Sequence, residues 1–421
     1  MTASDCCKIQ KKKTRTLADE RPDLDFDYLL DESNINTIKE NIRNRKGIGN
    51  IDALHKVWKE IQDYSGKKNK SEEEYTELWQ KLYVEALALP NQSPNDVPIG
   101  GEEANVTVGT YGDKREEDGL HIAENLVAGW KSVHYPRESA GSRAYAFCGA
   151  VANVEAALLQ YAMETVKELK PDVNVVEVPD ILPLTTTEAC GVHPKSVDNH
   201  TLQYLVQQDS HMALSGTAEM GIAHVLRNRT FKEARPHWFM AKSKCYRPEI
   251  SHSASEAKLY RVHEFNKVEM FVVCNSDDSE RCLDEIVSIQ RKIFDGLSFH
   301  YRVLNMASQE LGAAAAKKFD IEAWMPGRGY YGEVSSASNC TDYQSRRLGI
   351  KLRQQDGTTE YAHTCNGTAI SSSRALITVL ETHQDKARKG WKCPQVLKKY
   401  IPEGRSLPFS FKQAAKFTYD D

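Results

Sequence analysis

In the stretch CYRPEISHSASEAKLYRVHEF, residues 245–265, Arg247 and Glu249 stand two residues apart. In an extended strand that spacing sends both side chains to one face. Arg261, His263, Phe265, Lys267 and Glu269 continue the same period downstream. Two such strands side by side would offer an arginine to a phosphate, carboxylates to amino groups and a ring to a flat base. Alone, such alternation is more often a solvated strand face. Three further clusters carry similar groups. SGTAEM at 215–220 holds Thr217 and Glu219, and GEVSSASN at 332–339 reads as a polar loop whose Glu333 and Ser336 could share a metal or a phosphate. Arg374 falls in the first turn of a helix opened by Ser371–Ser373, where backbone N–H groups favour an anion.

These groups need a framework to hold them. Ile38 and Ile42 mark a short helix over 33–46, and Ile51, Leu54, Val57, Trp58 and Ile61 mark a second over 51–63. Ser71 and Glu74 form a capping box for a third, which makes 51–89 an αα-hairpin. The Pro-, Gly- and Asn-rich PNQSPNDVPIGG at 90–101 reads as a domain boundary. Beyond it come helices over 146–168, 278–296 and 371–385. Strands are expected over 243–249, 258–273, 299–306, 318–325 and 360–366, with one through the proline of VNVVEVPDIL. Long alternating strands without repeating βαβ units predict an α+β domain.

Composition narrows the class. The chain has 421 residues, 40% hydrophobic and 27% charged, with a net charge of −4, which argues against a polycation coated by nucleic acid. No apolar run is long enough for a membrane span. The ten cysteines show no zinc spacing and read as free thiols. KKKTR at 11–15 is basic, but Asp5, Asp19 and Glu20 leave it an incomplete targeting signal.

The order of the clusters is more specific than any one of them. TAE, then an RxE hairpin ending RVHxFxKVE, then EVSSxSN, then NGT before an arginine-bearing helix resembles the class II seryl-tRNA synthetase family, mitochondrial type. The resemblance runs from about residue 25 to 400. It includes DFDYLLDESNINTIKENIRNR (25–45), FDIEAWMPGRG (319–329) and NCTDYQSRR (339–347). It implies a six- or seven-stranded antiparallel sheet flanked by helices, with a dimer interface over 146–182 around Pro179. The domains would be a disordered basic leader (1–24), a small helical domain with a shortened hairpin arm (25–95) and a catalytic-fold domain (96–421). The implied chemistry is attack of a serine carboxylate on the α-phosphate of ATP, then transfer to the 3′ end of tRNA(Ser). Carried over by resemblance, Arg247 meets the α-phosphate and the serine carboxylate, and Glu249 the adenine amino group. Phe265 stacks on adenine, Arg374 holds the γ-phosphate, and Glu333 with Ser336 meets phosphate and Mg²⁺. Thr217, Glu219, Glu269, Asn366 and Thr368 line the serine pocket.

Three departures weigh against activity. Ala257-Lys258 stands where the family usually has Arg-Gly, and Ser373 closes an SSS run where a proline or glycine is typical. The helical arm is also short. The expectation drawn from them is a catalytically inactive mitochondrial member, most like the non-ligating seryl-tRNA synthetase-like type of insect mitochondria. It would bind tRNA(Ser), other RNA or a protein partner, as a homodimer or with a related synthetase subunit, and need no cofactor. The alternative is an active mitochondrial serine–tRNA ligase using ATP and Mg²⁺.

Overall fold

The structure is a computed structural model that describes residues 16–66, 71–130, 132–136, 141, 143–193, 201–207, 209–248, 258–386 and 390–401. Glu249 and Ala257 lie outside the described residues.

The helical region forms as its periodicity predicts. Helices α1 (Ile35–Asn44), α2 (Ile51–Ser65) and α3 (Glu72–Leu87) bury Ile38, Ile42, Leu54, Ile61 and Leu82 in one core. Asn50 and Ser71 cap α2 and α3 by accepting from Ala53 N–H at 3.0 Å and Glu74 N–H at 3.4 Å. At 1.5 Å per residue each arm of the hairpin is about 23 Å long.

Residues 16–24, expected in a disordered leader, are folded against the rest of the chain. Residues Leu17–Glu20 form a helical turn whose Leu17 is buried against Leu182 and Leu348, and Leu17 N–H donates to Glu188 Oε2 at 3.0 Å. Leu24 joins the helical core.

Eight strands build the main sheet: β1 (Val106–Tyr111), β2 (Asn174–Val175), β3 (His237–Tyr246), β4 (Glu264–Cys274), β5 (Tyr301–Asn305), β6 (Lys317–Met325), β7 (Tyr330–Asn339) and β8 (His363–Ser371). Their order is β1-β5-β6-β7-β8-β4-β3-β2. All neighbours are antiparallel except the edge strand β2, which runs parallel to β3. The sheet thus has one or two strands more than expected. VNVVEVPDIL is divided between β2 and a separate strand, Ile181–Pro183, because Pro179 offers no N–H to a ladder. GEVSSASN is a central strand where a polar loop was expected.

Helices α4 (Gly149–Leu169), α6 (Ser279–Leu297) and α8 (Ser372–Thr382) cover one face of the sheet. The shorter α5 (Ala218–Val225) and α7 (Tyr343–Leu348) belong to the other side. Strand β4 shows the division. Val268, Met270 and Val272 enter the core under the long helices, while Phe271 and Val273 join a second core with α5. Lys267 and Glu269, on the same side as Phe271, face a cavity. The site therefore occupies the face that the long helices leave open.

Gly367 on β8 sets how closely α6 approaches. A Cβ there would lie 2.3 Å from Ile286 Cγ2 and 3.1 Å from Gln290 Nε2. Gly367→Ala is expected to cost about 1–3 kcal/mol, read as a lower urea midpoint, because a branched buried side chain cannot yield that space.

Candidate active site

Two adjoining cavities open on this face. One is lined by Arg247, Phe265, Glu333, Ser336, Ser373 and Arg374, together with Tyr260 and Arg261. The other, of about 350 Å³, is lined by Thr217, Glu219, Glu269 and Asn366, together with Lys318 and Cys340. Arg247, Lys267 and Ser336 line both. Residues from four separate stretches of sequence therefore meet in one continuous space.

Two β-bulges make this convergence possible. In a regular strand, residues three apart point to opposite faces. Between β6 and β7 the register moves from Ile321↔Ser335 to Glu322↔Glu333, so Val334 is an extra residue. Glu333 and Ser336 thereby reach the same cavity. Between β4 and β8 it moves from Val268↔Ile370 to Glu269↔Thr368, which makes Ala369 extra and lets Thr368 and Ser371 share the wall. Each bulge re-aims polar groups toward the cavity. Gln290 of α6, fully buried, secures both from beneath. Its Nε2 donates to Ser335 Oγ at 2.9 Å, Ser336 O at 2.7 Å and Thr368 O at 3.0 Å.

In the first cavity, Arg374 donates to Glu333 Oε2 at 3.1 Å and to Glu333 O at 2.9 Å, and its guanidinium lies 4.6 Å from the Tyr260 ring centroid. Burial alone would push the Glu333 carboxyl up, but Arg374, Lys318 and Arg247 together hold it down at about 2. It is therefore ionised at any physiological pH. Arg247 follows the end of β3. Its backbone N–H donates to His263 O at 2.9 Å and its Nε to Gly216 O at 3.1 Å, which ties the hairpin to the loop before α5.

In the second cavity, Lys267 and Glu269 form a buried ion pair, and Thr217 Oγ1 accepts from Lys267 Nζ at 2.8 Å. Thr217 and Thr368 hydroxyls each lie 3.3 Å from Glu269 Oε2. Thr217 also caps α5 by accepting from Glu219 N–H. Glu219 Oε1 accepts from Gln344 Nε2 at 2.6 Å and Asn366 Nδ2 at 3.0 Å. Two carboxylates, the Thr217 hydroxyl and an amide in one water-accessible space suit a ligand ammonium and hydroxyl. Arg247 at the junction suits a carboxylate.

Burial, with the Glu269 charge adding to it, pushes the Glu219 carboxyl up to about 7. A carboxyl whose folded value lies above its unfolded one stabilises the fold fully below the unfolded value, and that contribution is lost as pH rises toward the folded value. Unfolding free energy is thus expected to fall by roughly 2–3 kcal/mol between about pH 4.5 and 7 from this group. Urea unfolding across that range should show the decline, and Glu219→Gln should flatten it.

Every described residue expected at the site lines a cavity, with one shift and one exception. Thr368 lines the first cavity and reaches the second only through Glu269. Lys258 lines neither. It sits in a turn with φ 68°, a left-handed conformation that glycine adopts without penalty. Ser371–Ser373, by contrast, need no glycine. None of the three has a positive φ, all are buried, and Ser372 Oγ accepts from Asn266 N–H at 3.2 Å.

Lys267, Lys318, Tyr260, Gln290 and Gln344 also build the site, beyond the residues expected from the sequence. A signal existed for two of them. Lys267 shares the face of Glu269, and Gln344 lies inside NCTDYQSRR.

Comparison with known proteins agrees with this geometry. Residues 204–383 match the family model described as the tRNA synthetase class II core domain (G, H, P, S and T). The chain is 36% identical to the serine--tRNA ligase of Borrelia recurrentis, over 88% of this chain and 86% of that protein. It belongs to the class II seryl-tRNA synthetase family.

Among this synthetase's mitochondrial relatives, the mouse mitochondrial serine--tRNA ligase is 39% identical over 74% of this chain and 61% of its own length. In structure, the seryl-tRNA synthetase of Pyrococcus horikoshii, solved with ATP, superposes with a TM-score of 0.73 at 28% identity, covering 89% of this chain and 91% of that one. The cytoplasmic serine-tRNA ligase of Naegleria fowleri, solved with AMP, gives 0.75 at 25% identity, covering 89% and 96%. These relatives carry ligase names. The likeness to a non-ligating type rests on the departures alone.

Proposed function

We propose that this synthetase homologue is an active serine–tRNA ligase of mitochondria, in which serine and ATP form a seryl adenylate that acylates tRNA(Ser). The observation that carries the reading is the junction of the two cavities at Arg247. A carboxylate in the amino-acid cavity and a phosphate in the neighbouring one would meet on a single guanidinium. In that arrangement a serine carboxylate oxygen bonds to the α-phosphorus as the bond to the β-phosphate breaks and pyrophosphate leaves. The tRNA 3′-terminal hydroxyl then attacks the acyl carbon and AMP departs. Phe265 would stack on adenine and Arg374 would take the γ-phosphate. Glu269 and Glu219 would bind the amino end of serine. Such catalysis is positioning and charge neutralisation rather than covalent chemistry by the protein.

Glu333, held ionised, and Ser336 are the residues that would contact Mg²⁺, which commonly binds one or two carboxylates together with substrate phosphates and water. The metal would neutralise charge between phosphates. Among the described residues no three His, Cys, Asp or Glu side chains cluster as a metal site of their own, which is consistent with a metal arriving with the nucleotide. No described helix is long and apolar enough to cross a membrane. The dimer, through residues 146–182, belongs to the same proposal.

One observation favours the second reading, an inactive homologue that binds RNA or a protein. Ala257 removes a guanidinium, and Lys258 occupies a left-handed turn that glycine suits better. Lys258 is a point charge and does not reproduce a planar bidentate grip. Serine-dependent ATP–pyrophosphate exchange on purified protein decides between the two. Robust exchange removes the inactive reading, while no exchange and no ATP-induced thermal shift removes the ligase. tRNA(Ser) binding, read as affinity against salt, should fall steeply if several phosphates are engaged.

A further inference from the structure

A third cavity lies between the helical region and α7. It has about 180 Å³, room for about six water-sized groups. Its walls are largely apolar, from Leu24, Tyr28, Leu29, Ile38 and Leu89. The charged lining residues are Asp25, Asp342, Arg346 and Arg347. Arg346 takes both acids, donating from Nε to Asp342 Oδ2 at 2.5 Å and from NH2 to Asp25 Oδ2 at 3.0 Å.

Arg347 is left without a counter-ion. It is 8% exposed, and both of its partners belong to Tyr343: the carbonyl, 2.9 Å from NH1, and the ring, 3.4 Å from the guanidinium carbon. Its Nε is buried with no acceptor. Among the described residues no carboxylate lies within ion-pair distance of it. Burial pulls its pKa below the ordinary arginine value. Arg45, across the same interface, is 3% exposed and is held by the carbonyls of Asn91 and Gly312 and the Ser93 hydroxyl, again without a carboxylate. A buried guanidinium without a counter-charge is unfavourable, and an anion in the cavity would supply one.

We propose that this cavity binds a small monocarboxylate with a short apolar tail. The carboxylate faces Arg347 and the tail lies against Leu24, Tyr28, Leu29 and Leu89. The lining charges cancel, two acids against Arg346 and Arg347, and the buried Arg45 beside them leaves one positive charge for a single carboxylate to balance. A dianion such as phosphate would meet Asp25 and Asp342 without further compensation. The inference does not depend on whether the chain activates serine.

Isovalerate titrated into the full chain by calorimetry tests it, with acetate and the neutral isostere isovaleramide as comparators. Saturable one-to-one binding of isovalerate is expected, with acetate and isovaleramide at least about tenfold weaker. Arg347→Gln and Leu29→Trp should each weaken binding by about tenfold or more, the second by filling the cavity while leaving Arg347 in place. Arg247→Ala should leave it unchanged, which separates this cavity from the amino-acid pocket. Absence of saturable binding, equal affinity for the amide or for acetate, or loss in Arg247→Ala with retention in Arg347→Gln would overturn the proposal.

Discussion

Arg247→Ala is expected to lower serine-dependent pyrophosphate exchange by about 10²–10³-fold while leaving the fold intact. Arg247 lines both cavities from the end of β3, where it packs no core residue, so its removal does not open the interior. What is lost is a planar donor set placed where a carboxylate and a phosphate would approach each other. A neighbouring lysine does not substitute, because Lys267 is engaged with Glu269 and Thr217. Arg247→Lys should recover only a minor part of the rate, since a flexible ammonium lacks the bidentate geometry. Affinity for a non-hydrolysable seryl-adenylate analogue gives a readout independent of turnover and should fall in parallel. Exchange within about threefold of the parent protein would show that Arg247 does not act on the charge that develops during adenylate formation.

The second large effect is on stability. Lys267→Met leaves the Glu269 carboxylate, 2% exposed, with only the Thr217 and Thr368 hydroxyls as hydrogen-bond partners among the described residues. Breaking a buried ion pair from one side costs about 3–5 kcal/mol, because the remaining charge loses its counter-ion where little water reaches it. Denaturant unfolding should show that loss. Lys267→Met/Glu269→Leu should return most of it, since two apolar side chains remove both desolvation penalties. The double variant should nevertheless bind no seryl-adenylate analogue. A loss below about 1 kcal/mol for the single variant would mean that Glu269 is compensated by another cation. The pair would then be a feature of the ligand pocket rather than of the fold.

The helices were legible because their signals are local. Ile38/Ile42, the Ser71 cap and the apolar stripe from Ile51 to Ile61 each lie within a few residues of one another, and the structure places those elements within a few residues of the expected bounds, though Ser71 makes only its own half of the capping box. GEVSSASN was not legible as a strand. Its serines look solvated in sequence, yet Ser335 is 2% exposed, and its hydroxyl accepts from Gln290 and donates to the Thr368 carbonyl, both far away along the chain. Packing decided that segment, since polar residues enter a central strand when partners from other elements satisfy them. VNVVEVPDIL erred in the opposite direction, with apolar alternation outweighing what Pro179 does to a ladder.

By itself the sequence determined the α+β class, the helical hairpin and, through its ordered motifs, the seryl-tRNA synthetase family. Residue types and local spacing suffice for these. Tertiary structure alone decided which of those residues meet. The bulges at Val334 and Ala369 turn Glu333, Ser336 and Thr368 into the cavities, and Gln290 holds them there from the opposite face. It also decided that Arg346 consumes both nearby acids and leaves Arg347 buried without one. Strand register and ion-pair partnership depend on distances across the fold, and the order of residues along a chain does not specify those distances.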